Sequence, residues 1–413
     1  MDIFEQISIF IILFLTTYFE VFLLLVFLEE RKRFALHPHE ERLSYPSITI
    51  IVPAWNEEHT LAGTVNSLLA VDYPKDQLSI FIIDDGSTDN TRKVAEGFAV
   101  NPQVKVFSKQ NGGKYTAMNL GISESTSDLI GCLDADSFAD PAALKEIVPY
   151  FDDPETMAVT PSVQIHNPNN ALRRMQSTEY MVGEFTRKVF SRLNALYVTP
   201  GPLSIYRKEV FETIGAFEHS YGTEDMEMAL RMQSHHMKIE NAHTAFVYTV
   251  CPSSPRALYK QRVRWVSGFL KNAFFKYRYM FLNGKYGHLG LLTVPFAFGS
   301  IFIALIFTGL YLASLWQFGT EIWIRYSALG WRPHFGWPHF DWFSLAIDFH
   351  TLIIYLLAFI TILFVAFGTR LVHGRKFFSV DTFWFLALYG FIAPFWLARS
   401  LYNLITSQEA NWR

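Results

Sequence analysis

Three acidic motifs and one basic, aromatic motif could do chemistry in this chain: Asp84-Asp85, Asp134-Ala135-Asp136, Thr223-Glu224-Asp225 and Gln261-Arg262-Val263-Arg264-Trp265. Asp134-Ala135-Asp136 sets two carboxylates at the end of an apolar run, where they repel unless a cation lies between them. Hard oxygen donors of this kind suit Mg²⁺ or Mn²⁺, which can in turn bridge a diphosphate. Asp84-Asp85-Gly86-Ser87 closes another apolar run. Its carboxylates can accept hydrogen bonds from a base or from ribose hydroxyls, although Asp and Ser ahead of a helix also act as caps. Asn111-Gly112-Gly113-Lys114 offers a backbone that a ligand can approach closely and one cation for phosphate, or an ordinary turn. Thr223-Glu224-Asp225 adds a third acidic site, so one carboxylate can stay clear of the metal and take a proton from an attacking hydroxyl. In the last motif Arg suits phosphate oxygens and Trp presents a flat face to a sugar ring. The same stretch also reads as a helix on a membrane surface, and the two readings are compatible.

These residues need elements to position them. Residues 48–53 and 79–83 are short, β-branched and apolar, and read as buried strands, as do 104–107 and 129–133. Between them, 58–70 and the stretch containing Asn119 to Ser123 have helical spacing. The alternation predicts an α/β domain with a mostly parallel sheet and helices on both faces, whose ligands bind beyond the carboxyl ends of the strands. Asp84-Asp85 and Asp134-Ala135-Asp136 both fall at such ends. Residues 226–234 read as a further helix. Residues 169–197 form an amphipathic stretch, with Leu172, Met175, Val182, Phe185 and Val189 on one face, suited either to core packing or to a membrane surface.

The 413 residues are 50% hydrophobic, 16% aromatic and 18% charged, between the values of a soluble protein and a pure membrane protein. A net charge of −3 gives no basic balance for nucleic acid. The two cysteines, Cys132 and Cys251, have no metal-ligand spacing and are expected as buried free thiols. Residues 8–28 are apolar apart from Thr16, Thr17 and Glu20, and a span needs ~20 such residues. Acidic residues precede this run and Arg31-Lys32-Arg33 follows it, which favours a retained anchor over a cleaved signal. Further apolar runs lie at about 290–316, 342–367 and 380–405; the second carries Asp348 and His350, the third Pro394 and Arg399. Arg31 to Arg33, the basic residues from Lys260 to Lys285, and Arg370, Arg375 and Lys376 would all fall on one side, which the positive-inside rule makes cytoplasmic. The expected division is 1–30 anchor, 46–255 cytoplasmic catalytic domain, 256–285 interfacial segment and 286–413 membrane region with three spans.

Taken in order, the four motifs resemble those of the processive family 2 glycosyltransferases, the cellulose, chitin, hyaluronan and poly-N-acetylglucosamine synthases. The resemblance covers about 48–270 and implies a GT-A fold, a nucleotide-sugar donor, usually UDP-linked, and Mg²⁺ or Mn²⁺. By resemblance Pro53, Glu57, Asp85 and Lys114 line the nucleotide site, Asp134 approaches the donor and Asp136 binds the metal. Asp225 is the base with Glu224 beside it, and Gln261, Arg264 and Trp265 hold diphosphate and acceptor. Residues 199–207, with Gly201 and Pro202, look like an acceptor-proximal loop, and Glu179-Tyr180 like the first interfacial helix. Two features depart from the pattern: His236-Met237-Lys238 stands where relatives often have Gly-Tyr-Arg, and one N-terminal span stands where several have two.

The expected protein is therefore a multi-pass plasma-membrane enzyme, an inverting β-glycosyltransferase. It would polymerise a UDP-sugar, N-acetylglucosamine first and glucose second, processively and coupled to translocation. Its partners would be the donor, a growing glycan or lipid acceptor and the bilayer, with a homo-oligomer or export partner left open. The alternative is transfer of one sugar to polyprenyl phosphate or another lipid, a class that usually lacks the Gln261–Trp265 motif. A nucleotide-binding export scaffold would not need Asp225 and Trp265, and only Ser407 to Arg413 follow the last run to serve a nucleotide receptor.

Overall fold

The computed structural model describes residues 3–30, 44–329, 349–373 and 379–406. In chain order α1 (Ile3–Glu30) precedes β1 (Ile48–Ala54), α2 (Leu61–Leu69), β2 (Leu78–Asp84), α3 (Thr91–Gly97), β3 (Val104–Ser108), α4 (Lys114–Glu124) and β4 (Leu129–Cys132). Next come β5 (Ser137–Ala139), α5 (Ala143–Ile147), β6 (Thr156–Ile165), α6 (Ala171–Arg192), β7 (Ser204–Arg207), α7 (Lys208–Ile214), α8 (Glu224–Ser234), β8 (Lys238–Thr249) and α9 (Pro255–Lys271). Three long helices follow: α10 (Val294–Leu329), α11 (Phe349–His373) and α12 (Val380–Ile405). The chain divides into two compact units, Met1–Leu25 with Phe296–Phe364, and Val26–Pro295 with Val365–Arg413.

The second unit holds one eight-stranded sheet of order β3-β2-β1-β4-β7-β6-β8-β5. The expected parallel sheet is its first half: β2 pairs with β3 and β1, and β1 with β4, all in parallel. Every residue of β1 but Pro53 is buried, as is every residue of β2 but Ser79, because helices cover both faces. Ile48, Ile50 and Val52 of β1 share one core with Ile80 and Ile82 of β2 and Leu61, Val65 and Leu68 of α2. Beyond β4 the sheet becomes mixed. β7 is antiparallel to β4 and β6, β8 is parallel to β6, and β5 closes the edge antiparallel to β8. Because β7 runs against β4, the loop that enters it returns to the carboxyl end of β4, beside Asp134.

The amphipathic stretch at 169–197 is the single helix α6, packed on β6 and β8 on one side and on α12 on the other. Its buried side chains include the polar Gln176, Glu184 and Lys188. Glu184 accepts the Asn241 side-chain amide at 2.7 Å, and Lys188 donates to the Asn241 carbonyl at 2.7 Å. Burial, with Arg192 nearby, brings the Lys188 amine down to about 7. Met175 of α6, Leu258 and Val263 of α9, and Ala393 and Trp396 of α12 form a second core cluster. Polar groups of α12 are satisfied on α9, Ser400 at the Val263 carbonyl (3.4 Å) and Asn403 at Ser267 (3.3 Å).

Among the described residues three helical stretches are long and apolar enough to cross a membrane: Ile9–Glu29, Leu289–Ala328 and Val380–Ile405. Of the run expected at 342–367, residues 342–348, with Asp348, lie outside the described residues; α11 contains an apolar stretch, Tyr355–Gly368. Arg31-Lys32-Arg33, Arg375-Lys376, residues 330–341 and the tail from Ser407 also lie outside them. Within the first unit Glu20, the acidic residue of the first run, accepts a hydrogen bond from the Thr361 hydroxyl at 3.0 Å. Both cysteines are free and buried, as expected.

An ion cluster fixes α8 to the segment after α9. Glu227, fully buried, accepts hydrogen bonds from Arg231 (2.7 Å), Lys276 (2.5 Å) and Tyr277 (2.6 Å). Removing one member of a buried pair leaves its partners uncompensated and costs about 3–5 kcal/mol. Glu227→Leu is therefore expected to lower the melting temperature of the detergent-solubilised protein, whereas a change at the exposed Glu212 is expected to leave it in place.

Candidate active site

The carboxyl ends of β1, β2 and β4 open into a cavity of about 1570 Å³. Every site residue expected from the sequence lines it: Pro53, Glu57, Asp85, Lys114, Asp134, Asp136, Gly201, Pro202, Glu224, Asp225, Gln261, Arg264 and Trp265. Their elements come from opposite ends of the second unit's sequence, so the convergence is a product of the sheet topology.

Asp85 follows β2 directly and is almost wholly buried. Its carboxylate accepts the backbone N–H groups of Gly112 (3.1 Å) and Gly113 (3.0 Å) and the Lys109 ammonium (2.6 Å). It thus holds the Asn111–Lys114 loop against the β2 end. Gly86, at φ +71°, makes the turn, and a Cβ there would lie 2.7 Å from the Asn111 backbone nitrogen. The loop delivers Lys114 at the start of α4, where its ammonium pairs with Asp134. Burial acts to lower the Lys114 pKa, but Asp134, and beyond it Asp225, hold it above the ordinary lysine range and keep the amine charged. Gly201 packs on this pair: a Cβ there would lie 2.9 Å from Lys114 Nζ and 3.1 Å from an Asp134 oxygen.

Beside the Lys114–Asp134 pair the carboxylates crowd one another. Burial, then Asp134 and Glu57, push the Asp136 carboxyl up to about 7. A divalent cation would offset that repulsion, so these residues fit one. Among the described residues no group of three or more His, Cys, Asp and Glu side chains could hold a metal alone. That donor set matches Mg²⁺-type binding, in which one or two carboxylates share the ion with substrate phosphates and water.

Asp225 sits in the first turn of α8 and lines the same cavity as Asp134. Its side chain accepts its neighbour Met226's N–H at 2.9 Å, and its carbonyl accepts the Thr199 hydroxyl at 2.7 Å. Burial raises its pKa; Lys114 opposes that rise and Asp134 adds to it. Glu224 beside it is raised too, again by burial first. A carboxylate whose pKa is raised is a stronger base than an ordinary one and is suited to take a proton from a hydroxyl.

Helix α9 reaches the same place because Gly268 lets it touch Thr223, just ahead of Glu224 and Asp225. A Cβ at 268 would collide with the Thr223 side chain. Asn272 adds a hydrogen bond to Thr223 Oγ1 at 3.2 Å. Gly268→Ala is therefore expected to displace the first turn of α8. Misplacement by about 1 Å can cost about 100-fold in rate, so turnover at saturating donor is expected to fall by about that factor. Steady-state kinetics on the purified variant check this.

Arg264 and Trp265 line the cavity, but Arg262 does not. It is 3% exposed, with its guanidinium on Glu179 of α6. Sequence reasoning did not single out other lining residues: Arg187 and Tyr197, His219, and Phe385 and Tyr389 of α12. For Phe385 and Tyr389 the only signal is an i, i+4 aromatic pair in an apolar run, which any packed helix can show.

The family model for glycosyl transferase family 2 matches residues 49–215. The chain is 29% identical over 232 residues to a poly-beta-1,6-N-acetyl-D-glucosamine synthase of Staphylococcus epidermidis, covering 55% of this chain and 56% of that protein. It is 30% identical over 225 residues to the synthase of that name from Staphylococcus aureus strain COL, covering 54% of each. The chain spans about half the length of the curated relatives it matches. Among solved structures it is similar to a mannosyltransferase from Pyrobaculum calidifontis in complex with GDP-Man and Mn²⁺. The TM-score is 0.58 at 18% identity, over 97% of this chain and 100% of that one, a likeness of fold.

Proposed function

We propose that this chain, whose residues 49–215 match the glycosyl transferase family 2 model, is an inverting, membrane-integrated glycosyltransferase of GT-A fold that polymerises a UDP-sugar. One observation carries the reading: a single cavity gathers the carboxylates fit for a divalent ion, the raised carboxylate Asp225, and the Arg264-Trp265 face.

Asp136, with Asp134 beside it, would hold Mg²⁺ or Mn²⁺, which when bound neutralises charge on a diphosphate leaving group. Lys114 and Arg264 add fixed positive charge in the same cavity. Pro53, Glu57 and the loop held by Asp85 flank the nucleotide. Asp225 takes the proton of the acceptor hydroxyl while that oxygen forms its bond to the anomeric carbon. The bond from that carbon to the diphosphate breaks in the same displacement, so the configuration inverts. Trp265 offers its face to the acceptor sugar, and Gln261, Gly201 and Pro202 border it.

UDP-N-acetylglucosamine is the first donor, supported by the names of the staphylococcal relatives, and UDP-glucose the second. Processive synthesis coupled to translocation is supported by the cavity wall itself. Phe385 and Tyr389 belong to α12, one of the helices apolar enough to cross a membrane. The catalytic domain then lies at the cytoplasmic face of the plasma membrane, where UDP-sugars are made.

The test is UDP release by the detergent-solubilised protein with Mn²⁺ or Mg²⁺, over a panel of UDP-sugars, with and without polyprenyl phosphate. Release from UDP-N-acetylglucosamine without added lipid, with a β-linked product by NMR, supports the reading. Release that requires polyprenyl phosphate and stops after one sugar moves the protein to the lipid-linked class.

A further inference from the structure

An ion pair that no motif role covers joins α6 to α9 at the cavity wall, with Arg262 buried behind it. The Arg262 guanidinium makes a two-pronged contact with Glu179 of α6, Nε to Oε1 at 3.0 Å and Nη2 to Oε2 at 2.8 Å. Its remaining nitrogen, Nη1, donates to Gln261 Oε1 at 2.7 Å. The guanidinium also lies over the Trp265 ring, 4.3 Å from its centroid, and 5.9 Å from that of Tyr180. The rings of Tyr180 and Trp265 stand 6.5 Å apart. Glu179, Tyr180, Gln261 and Trp265 all line the cavity, and Arg262 does not. One planar cation thus fixes four lining side chains from two helices, a task for which Arg suits and Lys does not.

We propose that the Glu179–Arg262 pair is a positioning device for the acceptor end of the site: it sets the plane of Trp265 and turns Gln261 so that its NH₂ group is the one offered to the acceptor. With Oε1 occupied by Arg262, the amide's free hydrogen-bonding capacity is mainly its two N–H donors. The group it recognises is therefore an acceptor oxygen, a sugar hydroxyl or ring oxygen beside the one that reacts. Arg262, which does not line the cavity, acts through Gln261 and Trp265, and Glu179 acts by holding Arg262. The inference rests on the reading of Gln261 and Trp265 as acceptor-facing.

Two variants separate this role from plain packing. Arg262→Lys keeps a cation for Glu179 but cannot bond Glu179 and Gln261 and cover Trp265 at once. Gln261→Glu keeps the bond from Arg262 but removes the N–H donors. Donor turnover would be measured on wild type and both variants, in detergent with Mn²⁺. N-acetylglucosamine oligomers would be titrated at saturating UDP-N-acetylglucosamine, and the donor titrated at saturating oligomer. A hydrogen bond to a neutral group is worth about a factor of ten, so the acceptor KM is expected to rise by about tenfold or more in each variant. The donor KM is expected to stay within about twofold. An unchanged acceptor KM in Gln261→Glu overturns the proposal whether or not Arg262→Lys folds. Equal rises in both KM values for a folded Arg262→Lys show a merely structural pair and overturn it too. Wild-type protein whose turnover does not respond to the oligomer would instead count against the polymerase reading.

Discussion

Asp225→Asn is expected to lower the rate of sugar transfer by about 100- to 10 000-fold while leaving donor affinity near wild type. The amide keeps the size of the carboxylate and can still accept the Met226 N–H, so α8 keeps its first turn. What it loses is basicity. Two of the other cavity carboxylates are already engaged, Asp134 with Lys114 and Asp136 with the ion it would hold. The pH profile of the wild type carries the same signature. Asp225 must be ionised to act, and burial raises its pKa above the usual aspartate value of about 3.9. Activity is thus fully present above that raised value and lost as the pH falls through it, at a higher pH than an ordinary aspartate would give. The acid limb of kcat/KM measured over pH 4–9 (a range of about five units) checks this. A limb near the ordinary aspartate value would remove Asp225 from the role.

Asp136→Asn is expected to act on the donor instead. The wild-type carboxylate lies close to Asp134 and Glu57 and is held up by them, so a divalent ion gains from relieving that repulsion. An amide supplies neither the charge nor the second oxygen. Charge stabilisation by such an ion is worth several kcal/mol, which corresponds to a loss of about 1000-fold in kcat/KM. The loss is expected to be accompanied by a higher half-saturating Mn²⁺ concentration and by weaker UDP binding in the presence of Mn²⁺, both measurable by calorimetry. UDP binding without Mn²⁺ is expected to change little. The two substitutions thus separate: Asp225→Asn binds donor and fails to transfer it, whereas Asp136→Asn fails to bind it.

The half of the fold that carries the nucleotide end was legible in the sequence for a physical reason. Strands β1, β2 and β4 are buried on both faces, so they read as short apolar runs, and β2 and β4 each run into an acidic turn. The other half gave no such pattern. β6 contains Pro161 at a register shift against β8. β8 buries Glu240, Asn241 and His243, whose costs are met by partners far along the chain, as with Asn241 and Glu184 on α6. A polar residue looks solvent-facing in a sequence until its partner is known. β7 is only four residues long and lies within a stretch read as a loop.

The candidate site shows the same division. Its carboxylates could be placed because strand ends and helix starts are local features. The role of Arg262 could not, because the resemblance singles out Arg264 and residue type alone gives Arg262, two residues before it, no separate task. The difference lies in Glu179, which comes from another helix. Likewise, α12 reads as a membrane span, and only its packing on α6 and α9 shows that Phe385 and Tyr389 reach the cavity. The tie between Gly268 and Thr223, which brings α9 to Asp225, is invisible before the helices are placed.

The most direct test is the length of the product made by wild-type protein in lipid nanodiscs from radiolabelled UDP-N-acetylglucosamine, sampled early, with N-acetylglucosamine oligomer in excess. A processive polymerase at the Asp225 cavity is expected to give long chains while most oligomers remain unextended, and Asp225→Asn none. Oligomers that all gain one sugar before any gains two, or long chains that persist in Asp225→Asn, would contradict it.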